Sequence, residues 1–343
     1  MDDIYSWFSQ DYAQAQERFR KTTHLLERGV IEISDGLTID WAWSGDSQSP
    51  HVLVFSSGLH GIEGFSGSAA QLYLLSLNPK ISTLWLHVLN PWGMANLRRV
   101  DSENVDLNRN FLAEEQEYRG VHPTYSLLNP LLNPPSPPVK DFFLLQVMQA
   151  VLQYGYENVK SAVVTGQYEY PQGLFFGGKS LQPGLSQLLL FLDKTLSHRH
   201  KIVHVDLHSG LGKFGEMSLL LEGESNPEQV ARARRAFGSS LKSRYDRKGG
   251  YLVRGGFTRA LAQQLGGVRY DGITCEFGTY NMLRVLAALR NENRLHHYAQ
   301  RNLLAHSKQR LLETFSPSNL RWRQKVLLHT ITVYKQACVM LND

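Results

Sequence analysis

A chain of 343 residues suffices for one large α/β domain or two modest ones, and its 42% apolar composition is that of a folded globular protein, which excludes fibrous and disordered classes. The net charge of +5 and isoelectric point near 9.1 come from scattered basic residues; the densest run, Arg232-Ala-Arg-Arg235, falls in a helical pattern and reads as a solvated face, so no nucleic-acid partner is expected. Only Cys275 and Cys338 are present, so no disulfide framework is implied.

The opening Met1-Asp-Asp-Ile-Tyr-Ser-Trp-Phe is acidic and lacks the apolar core of a secretory signal. The longest apolar run, around Leu188 to Leu192, is too short to span a bilayer. The expectation is a cytoplasmic protein with no membrane partner. Residues Ile4 to Arg28 read as a helix, followed by a hairpin of Val30–Ile33 and Leu37–Trp43 around Asp35-Gly36. His51–Ser57 is a short continuous apolar run, the pattern of a buried strand, leading into a helix from Ser66 to Leu77. Further strands are expected at Thr83–Leu89, Ala162–Thr165, Lys201–Leu207, Met217–Leu221 and Gly272–Phe277, with helices at Glu228–Tyr245 and Asn281–Glu313. Between Gly120 and Lys140 six prolines predict a long surface loop, either a wall of a cleft or a passive connector.

This alternation argues a three-layer α/β/α sandwich on a mixed, mostly parallel sheet. The expected organisation is an N-terminal helix and hairpin over 1–45, a catalytic unit over 46–315 with a proline-rich insertion at 112–145, and a helical and strand-like tail over 316–343.

Four polar patches lie at or beyond strand C-terminal ends, where open α/β sheets place ligands. In Gly58-Leu-His60-Gly-Ile-Glu63-Gly64 the glycines permit a tight turn that would aim an imidazole and a carboxylate at one point, a donor pair suited to zinc. In Asp206-Leu-His208-Ser-Gly210, His208 would be the third ligand, and strand alternation puts Asp206 on the same side to orient a ligand; a strand-end histidine without metal is the other reading. His200 and His204 read as structural. Asn104-Val-Asp-Leu-Asn108-Arg109-Asn-Phe111, preceded by Arg98-Arg99, joins guanidinium to amide, which suits carboxylate recognition and oxyanion stabilisation; solvated loop charges are the alternative. Glu276 closes a buried strand, where a carboxylate is costly unless used as a base or held in an ion pair.

Two decoys fail on context. Gly210-Leu-Gly212-Lys-Phe-Gly215 matches a dinucleotide fingerprint, but a strand pattern follows it where a helix is required. Gly64-Phe-Ser66-Gly-Ser68 ends in serine where a nucleophile elbow needs glycine.

Taken in order, His60, Glu63, Arg99, Asn108-Arg109, His208 and Glu276 resemble the motif series of the zinc carboxypeptidase superfamily, over roughly residues 50 to 290. The close spacing of Arg-Arg and Asp-Leu-Asn-Arg resembles its deacylase branch, that of succinylglutamate desuccinylase and aspartoacylase, and an uncharacterised bacterial carboxypeptidase-like family. The resemblance implies one Zn2+ per chain on His60, Glu63 and His208. It implies Glu276 and Arg99 as catalytic groups, and Asn108 and Arg109 as the substrate's carboxylate site, with Arg98 as a further candidate. A zinc hydrolase acting on an amide or peptide bond of a carboxylate-bearing small molecule or short peptide follows. Deacylation of an N-acyl amino acid, or a non-enzymatic metal-binding relative, is the alternative. The chain departs from digestive carboxypeptidases in carrying Gly61 and Ile62 between the first two ligands, and the cleft tyrosine has no assigned counterpart among Tyr251, Tyr270 and Tyr280.

Overall fold

Every residue of the run Val52 to Ser57 is buried, and so is all of Lys201–Gly210, as expected for strands covered on both faces. The computed structural model describes residues 4–34, 36–114, 117–139, 141–222, 227–239, 241–243, 253–299 and 301–343, with backbone alone at 301–303. Among these, β1 (Arg28–Ser34), β2 (Leu37–Ser44), β3 (His51–Ser57), β4 (Thr83–His87), β5 (Lys201–Gly210), β6 (Met217–Leu221) and β7 (Arg269–Gly278) form one sheet. Its order is β1-β2-β4-β3-β5-β7-β6. The four central strands β4, β3, β5 and β7 run parallel, and β2 and β6 flank them antiparallel. The architecture is the expected three-layer α/β/α sandwich on a mixed, mostly parallel sheet.

The helices are α1 (Tyr12–Thr22), α2 (Gly64–Ser76), α3 (Pro91–Ala95), α4 (Pro123–Leu132), α5 (Phe143–Tyr154), α6 (Tyr156–Val164), α7 (Pro183–Leu196), α8 (Pro227–Phe237), α9 (Phe257–Gln264), α10 (Met282–Tyr298), α11 (Arg301–Phe315) and α12 (Leu320–Asn342). Alternation along the strands sorts the core in two. Phe55, Val203, Val205, Cys275 and Phe277 pack with α2, α8 and α12. Val52, Val54, Leu84 and Ile202 pack with Leu188 and Leu192 of α7 and Phe257 and Leu261 of α9. His204, Asp206 and His208 share the parity of Ile202, so three polar side chains are aimed into the second layer of a strand that is buried throughout. Such placement is stable only if each group finds a partner.

Several expectations are corrected. The first helix is shorter than Ile4–Arg28: Asp11 caps it by accepting from Gln14 N–H, and Arg28 already belongs to β1. Ala162–Thr165 is not a strand; Ala162 lies in α6 and joins Tyr125, Leu128 and Leu132 in a small separate core, which explains the apolar residues there. The proline-rich stretch is not wholly a loop. Pro123 opens α4, where no amide hydrogen is needed, the His122 side chain caps Thr124 N–H, and Pro130 falls near the end of the helix. The expected Asn281–Glu313 helix is two, α10 and α11, and the tail is one helix of 23 residues with no strand. The helix expected at Glu228–Tyr245 ends at Phe237, and the hairpin residue Asp35 lies outside the described residues. Among the described residues no helix is long and apolar enough to cross a membrane.

Candidate metal centre

The turn His60–Glu63 is a single 3-10 turn between β3 and α2. Gly58 before it holds φ at +68°, a conformation that strains other residues. A Cβ at Gly61 would run into the Gly93–Met94 backbone. That close approach lets Gly61 and Ile62 donate their N–H groups to the carbonyls of Arg99 and Arg98 at 3.1 and 2.8 Å, which fixes the arginine pair beside the turn.

His60, Glu63 and His208 come together, with one ligand atom from each lying within 4.8 Å of the others, all three residues buried. His60 Nδ1 is 2.9 Å from Glu63 Oε1, His208 Nδ1 is 3.0 Å from Glu63 Oε2, and the two Nδ1 atoms are 3.3 Å apart. Donor atoms at zinc bond lengths around a tetrahedral centre stand about 3.3 Å from one another. The donor set and its spacing therefore fit a divalent ion held by two imidazoles and one carboxylate. The remote nitrogen of His208 is braced as a metal-ligating histidine requires, its Nε2 2.7 Å from Asp206 Oδ2, while His60 Nε2 lies 2.7 Å from Arg99 Nη2 and 3.1 Å from Asp106 Oδ1.

Behind Asp206 a chain of hydrogen bonds has one consistent direction. The Ser56 hydroxyl donates to Asp206 Oδ1 at 2.6 Å, so it must accept from His204 Nε2 at 2.7 Å. His204 Nδ1 is then bare and accepts from the Tyr270 hydroxyl at 2.6 Å. Burial pushes His204 down to about 4, against the charge of Asp206, which keeps the ring neutral as this direction needs. At the other end His208 Nε2–H donates to Asp206, leaving His208 Nδ1 to face the ligand cluster. His204 is thus a member of the site's support and not a bystander, and Ser56 and Asp106 join it as residues the motif reading missed. Strand parity was the available signal for His204 and Ser56, and the spacing Asp106-x-Asn108 the signal for Asp106.

Electrostatics follow the same lines. Burial alone would raise the Glu63 carboxyl, but the charge of His60 and bonds from both imidazoles hold it below the usual carboxylate range. Burial opposes charge on His208, yet Asp206 and Glu63 raise it well above the ordinary imidazole value. Glu276 stands opposite His208 in the β5–β7 register. Burial, reinforced by the charge of Glu63 and opposed by His208 and Arg99, pushes its carboxyl up to about 7. Its Oε2 is buried without a hydrogen-bond partner.

The two arginines diverge. Arg99 Nη1 donates to Glu63 at 3.0 Å and Nε to Asp106 at 3.1 Å, and its side chain lines the cavity over the centre. Arg98 does not reach that cavity: its guanidinium is 1% exposed and donates to Glu292, Asn104 and Asn293, which corrects the expectation of substrate binding. Arg109 lines the cavity but spends Nε and Nη2 on the Val164 carbonyl and Nη1 on the Asn108 carbonyl. Two of the five N–H donors of such a group remain for a ligand. Asn108 Oδ1 accepts from Phe257 N–H at 3.1 Å, which fixes its amide beside the same cavity. Of the tyrosines, Tyr270 is bonded to His204, Tyr280 donates to Glu313, and Tyr251 lies outside the described residues.

A family model described as a protein of unknown function, DUF2817, matches residues 8–329. No curated protein matches the chain. Among solved structures, thrombin-activatable fibrinolysis inhibitor is similar at 13% identity and TM-score 0.54, covering 90% of this chain and 79% of that one. The bovine form of that protein, in complex with tick carboxypeptidase inhibitor, is similar at 12% identity and TM-score 0.51, covering 95% and 99%. The succinylglutamate desuccinylase of Chromobacterium violaceum matches at 12% identity and TM-score 0.40, covering 91% and 78%. At these identities the first two likenesses are likenesses of fold.

Proposed function

We propose that this chain, which belongs to the DUF2817 family of proteins of unknown function, is a metal-dependent hydrolase that cleaves an amide or peptide bond in a carboxylate-bearing substrate. The observation that carries the reading is Glu276: a half-buried glutamate whose Oε2 is buried without a hydrogen-bond partner, lining the same cavity as the His60, Glu63 and His208 donors. A carboxylate oxygen buried without a partner costs stability and persists where it has work to do.

The two-nitrogen, one-oxygen donor set favours zinc, and a bound zinc ion supplies Lewis acidity toward a carbonyl and acidifies water. The protein's own residues divide the rest. Glu276 accepts a proton from the attacking water and returns it to the departing nitrogen, so the carbonyl carbon gains oxygen as the C–N bond breaks. Arg99 places positive charge where the carbonyl oxygen becomes anionic. Asn108 and the two uncommitted donors of Arg109 receive the substrate carboxylate. Asp206 holds His208 in the tautomer that leaves its Nδ1 bare, and Asp106 with Arg99 positions the ring of His60.

The test is a pair of variants assayed for bound metal by elemental analysis and for turnover on N-acyl amino acids and short peptides. His208→Ala should lose metal and turnover together, whereas Glu276→Gln should keep the metal and lose turnover. Full turnover in Glu276→Gln would remove the assigned base.

A further inference from the structure

The cavity over the centre measures about 980 Å³, with Arg99, Asn108, Arg109 and Glu276 at the centre and further charged residues, Glu222, Lys242 and Arg259, elsewhere in its lining. This volume stands at the upper end of the roughly 300–1,000 Å³ that holds drug-sized ligands. A small acyl amino acid leaves most of it unfilled. One wall of the remainder is apolar throughout. Every side chain that α5 and α10 contribute to the lining is apolar, among them Val147, Val151, Leu286 and Leu289. Glu157 and Lys160 of the next helix, α6, also line the cavity. Helix α5, Phe-Leu-Leu-Gln-Val-Met-Gln-Ala-Val-Leu-Gln-Tyr, has no charge in 12 residues, although much of it faces water. Its lining residues Met148 and Leu152 are 59% and 86% exposed and continue the apolar wall outward. A surface helix ordinarily turns polar side chains to solvent, and a continuous apolar face running into a cavity marks a ligand surface.

We propose that the substrate of this site carries a large apolar group, the size of a medium-length acyl chain or a bulky apolar side chain, seated against α5 and α10 while its carboxylate and amide lie at the centre. The inference rests on the hydrolase reading above for the word substrate, and on the cavity lining alone for the apolar preference. The apolar group has two sources, the acyl half or the amine half of the amide.

Binding and turnover separate these. With metal-loaded protein, titration calorimetry compares acetate with decanoate, which share the carboxylate and differ by methylenes. Each methylene removed from water is worth about a fourfold gain, so decanoate should bind at least about 100-fold more tightly. Leu152→Glu combined with Met148→Glu, both at exposed positions, should weaken decanoate at least tenfold and leave acetate unchanged. In turnover, kcat/KM rising through N-acetyl-, N-hexanoyl- and N-decanoyl-alanine assigns the apolar group to the acyl half. A rise through tripeptides ending in Gly, Leu and Phe assigns it to the amine half. Equal binding of the two carboxylates, with kcat/KM flat or falling in both series, overturns the proposal while the hydrolase stands. Absence of turnover on every amide, with the decanoate preference intact, overturns the hydrolase reading and keeps the apolar subsite.

Discussion

The hydroxyl of Ser56 on β3 donates to the carboxylate of Asp206 on β5 at 2.6 Å, and this bond sets the direction of the whole chain from Tyr270 to His208. Removing it strands His204 Nε2–H and one oxygen of Asp206 in a buried layer. Ser56→Ala should therefore weaken metal binding by about 10- to 100-fold, as loss of an orienting partner does, and destabilise the protein by about 1–3 kcal/mol. Metal competition with a chromophoric chelator and thermal melts check both numbers. Unchanged metal affinity would show that Asp206 keeps its orientation without Ser56.

Glu276 predicts the acid limb of the pH profile. Its carboxyl sits near 7 in the metal-free protein, and a divalent cation beside it pulls that value down. The base works ionised, so kcat/KM should rise with pH and level off at or somewhat below about 7. Glu276→Gln should remove that limb and lower kcat by about 10²- to 10⁴-fold. A limb that persists in the glutamine variant belongs to another group.

His208 links metal binding to protons. Asp206 and Glu63 outweigh burial and favour the imidazolium, so the metal-free protein must release that proton before Nδ1 can bind an ion. Metal affinity should consequently increase as pH rises, by up to about tenfold per unit while one proton is displaced. The reverse sign applies to the metal-free fold: the raised value contributes stability below the ordinary imidazole pKa and loses it as pH climbs through the higher folded one. Calorimetric titrations at several pH values in buffers of different ionisation heat measure the proton count directly.

Chelation gives a further check. An ion that binds only the folded chain stabilises it by about 2.7 kcal/mol at a free concentration of 100 times its dissociation constant. Adding a chelator should lower the melting temperature of the parent protein and leave that of His208→Ala unmoved.

Arg98 and Arg99 are neighbours with separate fates. Arg98→Ala removes the guanidinium that ties the loop to Glu292 and Asn293 of α10, so it should cost several kcal/mol of stability, less whatever Lys308, 3.4 Å from Glu292, makes good. Arg99→Ala should lower kcat by about 10²- to 10³-fold through the oxyanion. Denaturant melts and steady-state kinetics on both variants separate the two effects.

The central strands and the His60, Glu63, His208 cluster were legible because both write short signals: continuous apolar runs for buried strands, and polar residues that interrupt them at the C-terminal ends. His60 and His208 lie far apart in the chain and meet because β3 and β5 are adjacent. Strand parity put His204 and Asp206 on one side, but the pairing with Ser56 was not legible, since it depends on β3 and β5 being neighbours, which nothing in the local sequence says. Arg98 was misread for the same reason: its partner Glu292 lies on a helix assembled from the far end of the chain. Ala162–Val163–Val164 looked like a strand because a short apolar run has no period of its own, and only the packing of α6 on α4 decides it.

Helices α4 to α6 bury Tyr125, Leu128, Leu132, Ala150 and Ala162 among themselves, apart from the two layers that enclose the sheet. This small core packs largely on its own side chains, so the helices beside the cavity and the turn that carries His60 and Glu63 draw most of their cohesion from different contacts. Replacing α4 to α6 as one block should therefore change the cavity wall while leaving the His60–Glu63 turn in place.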